Sequence, residues 1–197
     1  MVLIPKQCGA SSPEAFRPIS LLNVTYKIIS KILVNRLRPI MQRIISPQQS
    51  AFLPKRAIQD NVLVAHEVFH KIRARDNLKH KIFALKLDMK KAYDRIEWNF
   101  LADVIIRFGF SQWWVDRILF CVSSASFSVT LNGTQYGYIT PTRDLRQGDP
   151  LSPYLFILCA EVLSLQLQRL MTDGIIAGVK LGAQVSPINH LMFFFDA

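Results

Sequence analysis

The chain has few of the residues that mark disulfide-rich, disordered or secreted proteins. Its 197 residues include three cysteines, Cys8, Cys121 and Cys159. Three are too few for a disulfide framework and have no metal-ligand spacing, so a reducing compartment is expected. Charged residues make up 19% of the chain and hydrophobic residues 50%, a balance that excludes a disordered chain. We see no internal repeat and no low-complexity tract.

Long apolar runs are also scarce. The first ten residues lack the sustained apolar stretch of a signal peptide. The most apolar run, Leu151 to Leu167, contains Pro153 and Glu161 and is short for a membrane span. The sequence therefore favours an intracellular protein of the nucleus or cytoplasm that is not secreted and has no membrane partner.

Acidic residues are scarce in the first part of the chain. The whole chain has 24 basic and 14 acidic residues, a net charge of +10. Residues 1–80 have thirteen basic and four acidic residues, a net +9, whereas residues 81–197 have a net +1. A domain this basic usually meets a polyanion, either nucleic acid or an anionic membrane surface. The alternative is a solvated basic face with no partner.

Periodicity predicts a mixed α and β chain. Apolar residues at helical spacing predict helices at about 23–41, 60–73, 96–108, 111–122 and 152–171, with Asp60 as an N-cap. Alternation predicts strands at 82–88 and 188–195, and Asn132-Gly133 predicts a hairpin over 126–140. Residues 5–18 are typical of a loop or sheet edge. The order favours the α+β class, with an antiparallel sheet backed by helices.

Two segments could carry chemistry. Asp88 ends a predicted strand, where a rigidly held carboxylate suits Mg²⁺, although such an Asp is more often a turn or cap residue. In the second segment, Gln147 offers an amide, Gly148 allows close backbone approach and Pro150 suits the start of a helix. The alternative there is an ordinary loop that enters a buried helix.

Five segments occur together in a fixed order. They read FRPISLLNVTYKIISKIL, QSAFLPKRAIQDN, LKLDMKKAYDRIEW, RQGDPLSPYLF and INHLMFFFDA. With them the chain resembles the reverse transcriptase domain of a LINE-type non-LTR retrotransposon of the plant kind. The resemblance covers essentially all residues, and five collinear segments are far more specific than any single motif.

The resemblance implies a right-hand polymerase fold, with fingers, a palm and an antiparallel palm sheet backed by helices. Residues 1–80 would be the basic fingers. Residues 81–197 would be the palm, with a finger-contributed segment at about 97–145. The chain would be truncated at the family's motif C, so the thumb would be absent. No endonuclease or zinc knuckle is recognisable.

The resemblance also implies roles for individual residues. Asp88 and Asp196 would be catalytic ligands of the two Mg²⁺ ions that stabilise phosphoryl transfer. Tyr93 would be the aromatic steric gate that excludes a ribose 2′-OH, unless it is simply a core residue. The other nucleotide-binding residues would be Arg17 and Lys27, which hold the triphosphate, and Gln147 and Gly148, which line the pocket.

The implied partners are an RNA template, a DNA primer and a dNTP. Three further cations could contact phosphate, although a solvated surface position explains each of them equally well: Lys6, Arg56 and Arg146.

The chain departs from the family pattern at motif C, which reads aromatic, small residue, Asp, Asp. Counting from His190, Phe195 stands where the first Asp is expected, and Asp196 remains. In an alternative register, Asp196 is the first Asp and Ala197 replaces the second. In both registers the carboxylate set is incomplete. Lys55 also replaces a glycine that is common in relatives.

The resemblance predicts an RNA-directed DNA polymerase (a nucleotidyltransferase) by descent that is inactive as this chain stands, a pseudoenzyme. Two alternatives stay open. The chain could be a non-catalytic nucleic-acid-binding fragment that acts through its basic region, or a pseudogene product without function.

Overall fold

The computed structural model describes residues 2–74 and 82–193. Five α-helices and four strands occur in these ranges, together with short 3₁₀ turns at Pro13–Ala15 and Tyr93–Arg95. In chain order they are β1 (Val2–Pro5), β2 (Phe16–Ile19), α1 (Val24–Ile44), α2 (Ile58–Ala74), α3 (Trp98–Arg107), α4 (Gln112–Ser123), β3 (Phe127–Leu131), β4 (Thr134–Ile139) and α5 (Ser152–Thr172).

Helix α1 confirms the predicted helix at 23–41. It begins after Asn23, whose Oδ1 accepts a hydrogen bond from the backbone N–H of Tyr26 at 2.9 Å, as an N-cap does. It ends before the Ser46-Pro47 pair, because the residue that precedes a proline disfavours helical backbone. The helix is confirmed, but its buried face is only partly the one that the apolar spacing predicted. Leu33, Leu37 and Met41 are buried, whereas four isoleucines expected on the buried face are exposed: Ile28, Ile29, Ile32 and Ile40.

The other predicted helices are confirmed, with one correction. Helix α2 begins at Ile58, so Asp60 lies within its first turn and is not the N-cap. The Asp60 carboxylate accepts a hydrogen bond from the backbone N–H of Ala57 at 3.3 Å. It also lies near the positive end of the helix dipole. Gly109, with φ +88°, follows the end of α3, where a left-handed residue is common.

The predicted hairpin at Asn132-Gly133 is confirmed as the pair β3–β4. Leu131 pairs with Thr134, and both turn residues have positive φ, 49° for Asn132 and 82° for Gly133. Positive φ at both positions defines the type I′ turn, whose twist matches that of the flanking strands.

A second hairpin, β1–β2, forms where a loop or edge was expected. Leu3 pairs with Pro18 and Pro5 pairs with Phe16. The two strands make up the whole sheet, so both are edges, and a proline without an N–H is tolerated there. The prolines therefore indicated the edge position correctly, but they made the sequence read as a loop where two strands form.

The predicted strand at 82–88 is wrong. Residues 82–89 lie in no helix or strand, although Phe83, Leu85 and Leu87 alternate as expected and are 85%, 72% and 73% exposed. Alternation produces a strand only when a neighbouring strand supplies hydrogen bonds. Within residues 2–74 and 82–193, no strand pairs with this segment.

The predicted strand at 188–195 is reduced to isolated bridges in its described part. Ile188 pairs with Val179, and Met192 pairs with Gln49; residues 194–195 lie outside the described residues. The two described sheets are the hairpins β1–β2 and β3–β4. Over the described ranges, then, small antiparallel sheets and helices agree with the α+β class, whereas a single palm sheet is not seen.

The chain divides into two compact units. Unit 1 comprises residues 1–39 and 91–159, and unit 2 comprises residues 40–90 and 160–197. The predicted division into fingers and palm at residue 80 follows a different boundary and stays a prediction.

Helix α5 carries a continuous buried stretch. Its residues from Tyr154 to Glu161 are all buried. It is also the one helix in the described ranges that is long and apolar enough to cross a membrane. Its buried first half is typical of the core helix of a globular protein.

Candidate active site

Gln147 and Gly148 form a turn that is held against the end of β2 in unit 1. The backbone N–H of Ser20 donates to the Gln147 carbonyl at 3.0 Å. Gly148 has φ +94°, and a Cβ there would lie 3.3 Å from the Ser20 carbonyl oxygen. Both the backbone angle and the close approach therefore require glycine at this position.

The next residue, Asp149, is buried and accepts three hydrogen bonds. The Tyr26 hydroxyl donates to Oδ2 at 2.7 Å, and the Ser30 hydroxyl donates to Oδ1 at 2.5 Å. The backbone N–H of Leu151 donates to Oδ1 at 3.0 Å. A buried carboxylate needs such donors to offset its desolvation. Asp149 thereby ties the turn to the first two turns of α1.

Arg146 stabilises the other side of the turn. Its Nη2 donates to the carbonyls of Cys121 and, at 3.0 Å, Val122, at the end of α4 where helix carbonyls lack intrahelical partners. Its guanidinium also lies 4.6 Å from the centroid of the Tyr26 ring, within range of a cation–π interaction. Burial and the Asp149 carboxylate raise the pKa of Tyr26, so its hydroxyl stays protonated and donating.

Tyr93 lies in the core of unit 1, at 7% exposure. Its ring is 5.1 Å from that of Phe156, and its carbonyl accepts a hydrogen bond from the N–H of Leu145 at 3.2 Å. The segment that enters the Gln147-Gly148 turn is thus fastened to Tyr93. This burial agrees with the core interpretation, and the steric-gate role stays a prediction.

The predicted nucleotide-binding residues are carried by elements that these contacts join. Arg17 is half-buried on β2, three residues before Ser20, and Lys27 is exposed on α1, next to Tyr26. Tyr93, Gln147 and Gly148 belong to the joined segments themselves. All five lie in unit 1.

The predicted metal ligands are less well defined. Asp88 belongs to unit 2 and is exposed in the irregular segment 82–89, and Asp196 lies outside the described residues. Over residues 2–74 and 82–193, no three His, Cys, Asp or Glu side chains are grouped so as to hold a metal ion. The described donors therefore do not by themselves form the Mg²⁺ site expected from the resemblance.

The three cations considered as further phosphate contacts all donate to main-chain carbonyls. Lys6 donates to Glu14 at 2.9 Å, and buried Arg146 donates to the end of α4 as described above. Arg56 donates to the carbonyls of Ile45 and Gln49 at 2.8 and 2.7 Å. These bonds give each cation a structural role that charge alone did not indicate.

Sequence reasoning missed Tyr26, Ser30 and Asp149. The tyrosine and the serine lie four residues apart, hence on one face of α1. That spacing marks a polar patch on an otherwise apolar buried face, but it does not identify a partner 119 residues away in the chain, as Asp149 is from Ser30.

Comparison with known proteins identifies the class. Residues 4–192 match the family model described as reverse transcriptase (RNA-dependent DNA polymerase). The chain therefore belongs to the reverse transcriptase family.

Individual relatives show the kind of reverse transcriptase that the chain resembles. The chain is 32% identical over 170 residues to an uncharacterized 149 kDa protein of transposon TX1 from Xenopus laevis, covering 86% of this chain and 13% of that protein. It is 31% identical over 187 residues to the Pol polyprotein of the retrotransposable element R2DM from Drosophila melanogaster, covering 94% of this chain and 16% of that protein.

A further relative matches over a shorter region with a higher sequence identity. An uncharacterized mitochondrial protein of Arabidopsis thaliana is 52% identical over 66 residues, covering 34% of this chain and 54% of that protein. The chain is a reverse transcriptase domain of the non-LTR retrotransposon type, as the five collinear segments predicted. It spans less than a fifth of the length of the retrotransposon relatives named above.

Replacing Tyr26 with Phe should destabilise the domain. Y26F removes one of three donors to the buried Asp149 carboxylate and keeps the ring beneath Arg146, so we expect a loss of roughly 1–3 kcal/mol in the free energy of unfolding. Urea denaturation measures this loss. Y138F is the matched control, since Tyr138 is 78% exposed, and it should change stability by less than about 0.5 kcal/mol. Equal effects of the two substitutions would contradict the role of Asp149.

Asp144 should make stability depend on pH. Burial, and then the Asp94 carboxylate, raise the pKa of Asp144 from 3.8 to about 6, and its Oδ1 is buried with no hydrogen-bond partner. The folded state therefore holds a proton that the unfolded state has released, so stability falls as pH rises from 3.8 to about 6. D144N should raise Tm at pH 7 and match the unaltered chain near pH 3.5.

Thermal melts at both pH values test this expectation. D103N, at an exposed position of α3, is the control and should leave the pH profile unchanged. A D144N profile with the same slope as the unaltered chain would show that Asp144 is not the group responsible.

Proposed function

We propose that this chain binds a deoxynucleoside triphosphate and RNA as a reverse transcriptase domain does, and that it does not polymerise DNA by itself. The observation that carries the first half is the joined assembly in unit 1, in which the Gln147-Gly148 turn is bonded to β2 and α1. The observation that carries the second half is the motif C segment, whose carboxylates are incomplete in both registers.

Triphosphate binding is supported by the way the assembly places cations. A triphosphate needs positive charge and donors held at fixed positions. Arg17 is held by the β1–β2 pairing, and Lys27 lies on a helix that the buried carboxylate anchors. Because Arg146 is used internally, the proposal assigns the charge that meets the triphosphate to Arg17 and Lys27.

RNA binding is supported by the charge of α1. The helix has no acidic residue, and all its cations are exposed: Lys27, Lys31, Arg36, Arg38 and Arg43. Such a one-sided distribution attracts a phosphate backbone and makes binding depend steeply on salt.

The lack of polymerisation follows from the motif C sequence. In the family's reaction, a primer 3′-OH attacks the α-phosphate of a dNTP, and two metal ions held by carboxylates stabilise the charge that develops. Phe195, or Ala197 in the other register, offers no lone pair to a metal ion. Asp88 and Asp196 would then be left to share the task.

A primer-extension assay tests the catalytic half. With a poly(rA) template, an oligo(dT) primer, dTTP and Mg²⁺ or Mn²⁺, we expect no incorporation above background from the unaltered chain. A known active reverse transcriptase serves as the positive control. Incorporation by the unaltered chain that is abolished in D88N would refute the proposed inactivity and would place Asp88 in the catalytic site.

A filter-binding titration tests the RNA half. Replacing Lys31, Arg36 and Arg38 with Ala removes three exposed cations from α1, so the slope of log K against log salt should fall by about 2 for single-stranded RNA. The matched control removes three exposed cations elsewhere, as R107A/R169A/K180A, and gives the same net charge. Equal slopes for the two triple variants would show that the effect reflects net charge and that α1 is not the binding face.

A further inference from the structure

We propose that His190 and Glu161 act together as positioning residues. A series of hydrogen-bonded hydroxyls joins their side chains and anchors the segment that leads into motif C. The anchoring is complete when the side chains of His190 and Glu161 together carry two protons. The anchoring is argued from unit 2 alone. That the anchored segment leads into motif C rests on the family resemblance described above.

The chain of contacts begins at Glu161 on α5, which is 1% exposed. Its Oε1 accepts the backbone N–H of Ser46 at 3.1 Å, and its Oε2 lies 3.1 Å from the Ser46 hydroxyl. The Ser46 hydroxyl lies 2.8 Å from the fully buried Ser164 hydroxyl, one turn further along α5. Ser164 in turn lies 2.6 Å from Nε2 of His190.

Asn189 fixes the end of this hydrogen-bonded series that lies at His190. Its Oδ1 lies 2.7 Å from Nδ1 of His190, and its Nδ2 donates to the Leu167 carbonyl at 2.8 Å. Turning the amide over would bring its oxygen against that carbonyl. The oxygen must therefore face His190, so Nδ1 must carry a proton to make a hydrogen bond there.

Counting protons shows the coupling. Four contacts each need one proton: Glu161 with Ser46, Ser46 with Ser164, Ser164 with His190, and His190 with Asn189. Each hydroxyl supplies one. Glu161 and His190 must supply the other two, either as carboxylate with imidazolium or as carboxylic acid with neutral imidazole.

Losing one of these protons leaves one contact unmade. With Glu161 ionised and His190 neutral, two acceptors face each other at one of the four contacts. Burial raises the pKa of Glu161, while the Ser46 bonds and the Arg56 charge oppose that effect, and burial lowers the pKa of His190. Arg56 is the charged side chain that acts on Glu161 among the described residues, and none acts on His190. The doubly protonated state is therefore expected at low pH.

The segment thus anchored leads directly to Phe193. The backbone N–H of Ile188 donates to Val179 at 2.9 Å, and that of Met192 donates to Gln48 at 3.0 Å. The side chain of Asn61, which is buried, donates to the Met192 carbonyl at 3.2 Å. These backbone bonds report directly on whether the segment is held in place.

Amide hydrogen exchange of the full chain tests the proposal. Between pH 5 and 9, after correction for intrinsic rates, the protection of the Ile188 and Met192 amides should fall roughly tenfold, the effect of leaving one buried hydrogen bond unmade. The Phe108 amide, bonded to Val104 at 3.0 Å within unit 1, is the reference and should not change.

Substitutions separate this proposal from a merely structural role. In E161Q the amide nitrogen can donate to Ser46 at every pH, so protection should stay high and lose its pH dependence. H190L should lower protection at every pH, whereas E67Q, at an exposed position of α2, should keep the original profile. The same E161Q variant should leave His190 neutral with its proton on Nδ1, which side-chain ¹⁵N shifts report.

Two results would overturn the proposal. One is a protection that does not change with pH in the unaltered chain while His190 titrates. The other is an E161Q variant that keeps the original pH dependence; because E161Q preserves the size of the side chain, this arm stands even if H190L fails to fold. Hydrogen exchange needs neither nucleotide nor RNA, so a failure of the proposed binding activities would leave this outcome readable by itself.

Discussion

The buried carboxylate of Asp149 is the interaction on which the arrangement of unit 1 depends. Its three donors come from a tyrosine, a serine and a backbone amide. A buried charge without such donors costs several kcal/mol, so the turn and α1 must fold together. Among the residues proposed to bind nucleotide, Gln147 and Gly148 on the turn and Lys27 on α1 are therefore positioned by a residue that itself faces inward.

Unit 2 also depends on a buried carboxylate. Glu161 is buried on α5 and takes its donors from Ser46, just past the end of α1. Arg56 donates to carbonyls in the same turn. Each unit therefore has a buried carboxylate that positions a loop, Asp149 beside the Gln147-Gly148 turn in unit 1 and Glu161 on α5 in unit 2. In each unit a neighbouring arginine donates to main-chain carbonyls at or just past the end of a helix.

Secondary structure was predictable from sequence where it depends on strong local patterns of residues. The helices and the Asn132-Gly133 turn depend on residues within a few positions of each other, whereas the close approach at Gly148 involves Ser20, a residue far away in the sequence. The strand predicted at 82–88 does not form, and sequence alone did not reveal this because a strand needs a partner strand. The hydroxyl and carboxylate partners of Tyr26 and of His190 were not predictable either, since each lies on another element.

The sequence by itself determined the family, the basic character of the first 80 residues and the departure from the motif C pattern, because these are properties of residue order and charge. Only the tertiary structure decided that Arg146 and Arg56 donate to the main chain, that Asp149 and Glu161 are buried and hydrogen-bonded, and that two serine hydroxyls link Glu161 to His190. The physical reason is that the roles of buried polar groups are set by the donors and acceptors they meet, and packing brings those together from distant parts of the chain.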